Sequence, residues 1–111
     1  MSESILEQLD AVIESRRGES GRDSYVASLL QGDEAKALKK IGEEAIELAV
    51  ACSEGETGAI THEAADLLFH TIVVLARHGL SSADLMGELE RRFGTSGHAE
   101  KAARRGAGQD G

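Results

Sequence analysis

Apolar residues recur along the chain at steps of three and four, broken by short stretches rich in glycine and serine. That spacing is the period of an amphipathic helix. Ile5, Leu9, Val12 and Ile13 mark one face of a helix over residues 3–17. Arg16 and Arg17 complement its C-terminal dipole, and Gly18 can stop it. Residues 18–23 (GESGRD) read as a loop, and 24–31 (SYVASLLQ) as a short helix with Tyr25, Val26 and Leu29 inward. Gly32 breaks that helix, and Asp33 is a good N-cap for the next, over about 34–53. Leu38, Ile41, Ala45, Leu48 and Cys52 recur along it like a bundle seam. Residues 54–60 (EGETGAI) form a connection, and Thr61 is a candidate N-cap for a helix from 62 to about 77. Leu67, Leu68 and the run from Ile72 to Leu75 make this the most apolar segment. Gly79 ends it. Ser81 or Ser82 caps a helix over about 83–93, with Leu85, Met86, Leu89 and Phe93 inward. The pattern predicts an all-α bundle of four to five helices. From Gly94 onward the composition turns to small and charged residues, so the expected organisation is a domain over 1–96 and a basic tail over 97–111.

Composition supports helices over strands: there is no proline, and Tyr25, Phe69 and Phe93 are the aromatics. No apolar run approaches the roughly 20 residues of a membrane span. The first residues, Met1-Ser2-Glu3-Ser4, lack the basic-then-apolar pattern of a signal peptide. The lone Cys52 excludes an internal disulfide framework and, on the predicted seam, reads as packing. The expectation is a soluble, cytoplasmic protein with no membrane contact. The net charge of −8 is uneven. Residues 1–90 hold 7 Lys/Arg against 18 Asp/Glu, giving −11, and residues 91–111 hold 5 against 2, giving +3. The acidic body argues against nucleic-acid binding, while the basic end suits a phosphorylated small molecule.

The candidate chemistry lies in residues 43–66. Glu43-Glu44-Ala45-Ile46-Glu47 is followed by fifteen residues and then Glu63-Ala64-Ala65-Asp66. Glu44 and Glu47 are three apart and share a helix face, as do Glu63 and Asp66. The spacer completes one helix, turns the chain and starts the next, so the two pairs can face each other across a helical hairpin. Taken singly, either pair reads more readily as an ordinary solvated face; two pairs on adjacent helices shift the balance toward a site. Asp66 is the most telling, because Asp is unfavourable inside a helix and its neighbours are mostly apolar. Converging carboxylates supply the hard oxygen ligands that Mg²⁺ or Mn²⁺ prefers. The His62-Glu63 pair does not extend to H-E-x-x-H, since position 66 is Asp, and no glycine-rich phosphate loop is present.

Glu-Glu-x-x-Glu, a spacer and Glu-x-x-Asp resemble the magnesium signature of the MazG-type all-α nucleoside triphosphate pyrophosphohydrolases. Lys39-Lys40-Ile41-Gly42-Glu43-Glu44, the run from Glu63 to His70 (EAADLLFH), and Gly94-Thr95-Ser96-Gly97 followed by Glu100-Lys101 narrow the resemblance. They are similar to the phosphoribosyl-ATP pyrophosphatase family of histidine biosynthesis, and the similarity covers about residues 5–105. The resemblance implies Mg²⁺-dependent hydrolysis of 1-(5-phosphoribosyl)-ATP to phosphoribosyl-AMP and pyrophosphate, with Mn²⁺ as an alternative cation. It implies Glu44, Glu47, Glu63 and Asp66 as metal ligands, with Glu43 or Glu47 in a catalytic, base-type role. Lys39, Lys40, Lys101, Arg104 and Arg105 are candidates for substrate phosphates, against solvated-face readings. His70, four residues after Asp66, is a candidate hydrogen-bond partner for a metal-binding carboxylate, against a satisfied core histidine. Two other functions stand beside this one: another MazG-type pyrophosphohydrolase acting on nucleoside triphosphates, and a non-catalytic helical interaction module. The apolar 64–76 segment points to a homodimer.

Overall fold

The structure, a computed structural model, describes residues 4–94. It contains α1 (Ile5–Ser15), α2 (Tyr25–Leu30), α3 (Glu34–Glu54), α4 (Thr57–Arg77) and α5 (Ser82–Gly94), and no strand occurs among the described residues. The all-α expectation holds.

Local sequence sets most of the helix ends. Ser4 and Glu7 form a reciprocal capping box at α1. The Ser24 hydroxyl accepts from the Ala27 N–H at α2, and the Asp33 carboxylate accepts from the Ala35 N–H at α3. Gly55, in the left-handed conformation at φ 83°, ends α3 where a side chain would be strained. The start of α4 departs from expectation. It begins at Thr57, a full turn before the predicted Thr61 cap, because Glu56 serves as the N-cap. The Glu56 carboxylate accepts from Gly58 N–H at 2.9 Å and Ala59 N–H at 2.6 Å. Glu is not a favoured cap residue, and Gly58 sits in the first turn, so the sequence disguises this helix start.

Two residues, Gly55 and Glu56, join α3 to α4, and the two long helices form an antiparallel hairpin that is the main packing pair of the chain. α2 packs against both, and α1 against α4. Ile13, Ala27, Leu29, Ala37, Ala51, Ile72, Val73 and Ala76 form the buried core. The inward face of α3 is not the predicted seam. Ala37, Glu44 and Ala51 are buried and Ile41 and Leu48 half-buried, whereas Leu38, Ala45 and Cys52 are exposed. The helix is rotated so that a glutamate, not an alanine, occupies the middle of the seam. Cys52 is therefore not a packing residue in this fold. Likewise Tyr25, expected inward, is half-exposed, and Ile5 and Val12 of α1 are exposed.

Polar and charged side chains fasten α1, α2 and α3 to the end of α4. Arg77 donates to the carbonyls of Leu29 and Gly32, both at 2.8 Å, and so caps the C-terminal end of α2. Arg17 donates to the Ala76 carbonyl at 2.7 Å, and His78 Nε2 lies 2.6 Å from Glu34 at the start of α3. Farther up α4, buried His70 bonds Tyr25 of α2. Its Nδ1 is 2.8 Å from the Asp66 carbonyl, which can only accept, so Nδ1 carries the proton. Nε2 then accepts from the Tyr25 hydroxyl at 2.8 Å. The rings of Phe69 and Tyr25 meet the imidazole edge-on, with centroids 5.0 and 5.8 Å away.

The chain divides into two compact units, residues 1–81 and residues 82 onward. In the second, Glu88 pairs with Arg91 at 2.8 Å and Arg92 at 3.1 Å, and their hydrogen bonds pull its carboxyl down to about 2. Met86, Leu89 and Phe93, expected inward, are exposed; Leu85 is half-buried. The predicted tail over 97–111 lies outside the described residues.

By length and composition α4 could also cross a membrane. It carries Glu63 and Asp66, however, and an acid at the centre of a membrane helix costs about 2.5–3.5 kcal/mol on insertion scales.

Two outcomes test this arrangement. Backbone N–H donors hold the Glu56 carboxyl below its ordinary 4.5. The cap therefore stabilises the fold above that pH, and its contribution is lost as pH falls through the lowered value. Glu56→Ala should lower Tm at neutral pH, with the gap from wild type closing in acid. Tyr25→Phe leaves a buried imidazole nitrogen unpaired and should cost about 1–3 kcal/mol in a denaturant titration.

Candidate metal centre

α3 and α4 bring the predicted acids together across the hairpin. Ligand oxygens of Glu44, Glu47 and Glu63 lie within 4.8 Å of one another. Asp66 joins a second group with Glu63 and His62, under the same 4.8 Å limit. The four expected ligands thus form two adjoining groups that share Glu63. His62 enters as an additional donor beyond those the acid spacing selects; its one signal in the sequence is the one-turn separation from Asp66. His62 Nε2 is 3.4 Å from Asp66 Oδ2, and the imidazole is mostly exposed.

Glu44 is the unusual member. It is only 5% exposed, against a general rule that carboxylates are not buried without partners. Lys40 Nζ lies 3.4 Å from Glu44 Oε1, while Glu44 Oε2 has no hydrogen-bond partner. Glu63 Oε1 is buried and equally unpartnered. Two orphaned carboxylate oxygens in one group of three acids are hard donors of the kind a divalent cation prefers. The residues present therefore fit a divalent metal ion.

Electrostatics point the same way. The negative charge of Glu44 is the main influence raising the Glu47 carboxyl above its ordinary range. Burial and Glu63 add to it, the latter by charge and by a hydrogen bond, and Lys40 opposes. Crowded like charges make one member hold its proton more tightly. A bound cation reverses that crowding.

Glu43 stands apart. It belongs to neither group, and its carboxylate is 3.7 Å from Lys40 Nζ. Lys40 thus bridges Glu43 and Glu44 from one turn earlier on α3. Its ammonium is held above its ordinary range, first by the phenol oxygen of Tyr25 and then by its hydrogen bond to Glu44, with burial opposing. Lys39 is exposed. Lys101, Arg104 and Arg105 lie outside the described residues.

His70 takes a different role from the one expected. Its Nδ1 meets the backbone carbonyl of Asp66, not a carboxylate. In a helix, a side chain at i+4 reaches the carbonyl at i directly, while the Asp66 side chain leans away toward His62. His70 fixes the turn that carries Asp66 and ties it to Tyr25. Tyr25 is a site-adjacent residue that the apolar periodicity conceals, because a tyrosine fits an inward position equally well. At Gly42, between Lys40 and Glu43, none of the described residues, its chain neighbours and own helix backbone aside, lies within 4 Å of where a Cβ would sit.

A pocket of about 250 Å³ borders the acids, lined by Ile46, Glu47, Val50, Ala51, Glu54, Ala59 and Glu63. It places apolar wall and carboxylates side by side along the hairpin.

Comparison with known proteins gives a consistent family. The family model described as phosphoribosyl-ATP pyrophosphohydrolase matches residues 6–93. The phosphoribosyl-ATP pyrophosphatase of Hydrogenovibrio crunogenus is 48% identical over 108 residues, covering 94% of this chain and 96% of the relative. Those of Geobacter sulfurreducens and Rhizorhabdus wittichii are each 50% identical, over 100 and 99 residues. The alignments cover 90% and 89% of this chain and 93% of each relative. The match spans the α3–α4 hairpin with its converging acids, and this chain belongs to the phosphoribosyl-ATP pyrophosphohydrolase family.

Proposed function

We propose that the chain hydrolyses the α–β phosphoanhydride of 1-(5-phosphoribosyl)-ATP, releasing phosphoribosyl-AMP and pyrophosphate, with Mg²⁺ or Mn²⁺ as cofactor. In this reading it serves histidine biosynthesis in the cytoplasm. The names of the matched relatives support the substrate. The single observation that supports the site is the pair of buried, unpartnered oxygens on Glu44 and Glu63.

Glu44, Glu47 and Glu63 would hold the cation, with Asp66 beside Glu63 completing the set. When bound, the cation supplies charge neutralisation for the triphosphate and acidifies water. The chain's own residues supply position and proton transfer. Glu47 lies exposed at the rim of the group, where an incoming water is accessible to it. It would accept the proton as that water attacks one phosphorus of the α–β anhydride and the bridging P–O bond breaks, its electron pair going to the bridging oxygen, so that phosphoribosyl-AMP and pyrophosphate separate. Glu43 is the alternative base, though its contact with Lys40 draws it away from the group. Lys39 and Lys40 offer ammonium groups to the phosphate oxygens, and Lys101, Arg104 and Arg105 are assigned the same task.

The chain acts as a homodimer in this reading. An apolar groove of about 420 Å³ runs between α1 and α4, with Ile5, Leu9, Val12 and Leu68 among its lining. Leu38, Ile46 and Val50 on α3 are also exposed. So much open aliphatic surface on a small helical chain favours burial against a second copy.

Pyrophosphate release from phosphoribosyl-ATP should require Mg²⁺ and vanish with a chelator. Glu44→Gln and Asp66→Asn should each reduce turnover by about 100-fold or more, since groups merely supporting a ligand cost 10–100-fold. Release from ordinary nucleoside triphosphates but not from phosphoribosyl-ATP would instead select a different MazG-type activity. No metal-dependent release from any nucleotide would leave a non-catalytic helical module. Light scattering should give twice the 11.7 kDa chain mass, and Leu68→Glu should return a helical monomer. A monomeric wild type at micromolar concentration would reject the dimer.

A further inference from the structure

Lys40 makes a contact that the reaction chemistry alone does not explain. Its side chain is one-third exposed, and its ammonium lies within ion-pair distance of acids on its own helix. It lies between two acids of its own helix, 3.4 Å from Glu44 and 3.7 Å from Glu43. Glu44 is the acid that is more than nine-tenths buried and leaves its other oxygen unpartnered. Both Lys40 distances are longer than the roughly 2.7–2.9 Å of a strong charge-assisted hydrogen bond. The Arg91–Glu88 pair, by comparison, closes to 2.8 Å. The ammonium therefore offsets the charge at Glu44 without locking it. The flexible four-carbon stem leaves it free to move along the helix face. Among the described residues, Lys40 is the cation that makes an ion-pair contact with Glu44.

From this placement, and resting on the divalent-cation reading given above, we propose that Lys40 is a built-in competitor of the metal ion for the Glu44 carboxylate. The ammonium offsets the crowded negative charge around Glu44. A divalent cation offsets it better, repels the ammonium and displaces it toward solvent. Lys40 then becomes available to substrate phosphates only after the cation is in place. The device sets metal affinity below what the acids alone would give. It also makes phosphate capture conditional on metal loading. No covalent or redox step is involved; one positive charge replaces another at the same carboxylate.

Substitution separates charge from shape. Lys40→Gln keeps a hydrogen-bond donor but removes the positive charge, and Lys40→Arg retains the charge. In calorimetric titrations with Mg²⁺ alone, Lys40→Gln should bind about tenfold more tightly than wild type at low ionic strength, the order expected for one nearby charge. Lys40→Arg should stay near wild type. The gap should narrow at high salt. Without Mg²⁺, Lys40→Gln should have a lower Tm than wild type, and saturating Mg²⁺ should recover most of the difference. A purely phosphate-binding lysine would change KM and leave the affinity for Mg²⁺ alone untouched. Unchanged or weaker Mg²⁺ binding by Lys40→Gln overturns the proposal while leaving the metal centre intact. Failure of wild type to bind Mg²⁺ or Mn²⁺ at all overturns the metal reading and this proposal with it. A second measurement does not depend on a variant. In wild type the ¹³Cε resonance of Lys40 should shift on Mg²⁺ addition, with Lys36 and Lys39 little changed; a static Lys40 signal also overturns the proposal.

Discussion

The Glu44 carboxylate is buried on the α3 face that meets α4, with one oxygen unpartnered, and the frame around it holds that costly placement. An ion leaving water without adequate pairing loses several kcal/mol, even after the surroundings relax. An apolar seam would be satisfied by alanine or leucine at that position. Here the seam instead turns so that Glu44 sits between Ala37 and Ala51, which are buried beside it on α3. Such an arrangement trades stability for an electrostatic site. The unpartnered Glu63 oxygen across the hairpin and the raised proton affinity of Glu47 are consequences of that same choice.

The rest of the 1–81 unit keeps the hairpin in place. Arg77 and Arg17 use backbone carbonyls as anchors, so the helix ends are tied by guanidinium donors with several N–H groups each. The Tyr25–His70–Asp66 chain does the same work nearer the acids. Its polarity is fixed from one end, because the carbonyl can only accept. α2 is only six residues long and would not hold together alone; capping by Ser24 and Arg77 and the bond from Tyr25 make it part of the site's frame. Elsewhere on this unit, the α1–α4 groove and the outer face of α3 leave aliphatic side chains without cover.

Much of this is legible in the residue pattern. Five helical segments, the cap at Asp33 and the meeting of Glu44, Glu47 and Glu63 all follow from periodicity, cap chemistry and the length of the spacer. These depend on local geometry, 3.6 residues per turn and the chemistry of single side chains. The departures share a cause. The rule that polar residues face water places the α3 seam on Leu38, Ala45 and Cys52, and it hides the burial of Glu44. The same rule, read the other way, puts Tyr25 and Val12 inside. Glu56 escapes notice as a cap because its residue type is a poor indicator, although its two backbone hydrogen bonds are short.

The order of residues alone settles the helical class, the approximate helix limits and the inventory of acids on two neighbouring helices. Those properties are fixed by contacts within a few residues. Packing settles how each helix is rotated about its axis, and therefore which acids are buried. It places Asp66 with His62 beside, not within, the Glu44 group, aims His70 at a backbone carbonyl and sets Lys40 against Glu44. Rotation is a collective property: it follows from the packing of α1, α2, α3 and α4 together, where no single residue's preference is sufficient.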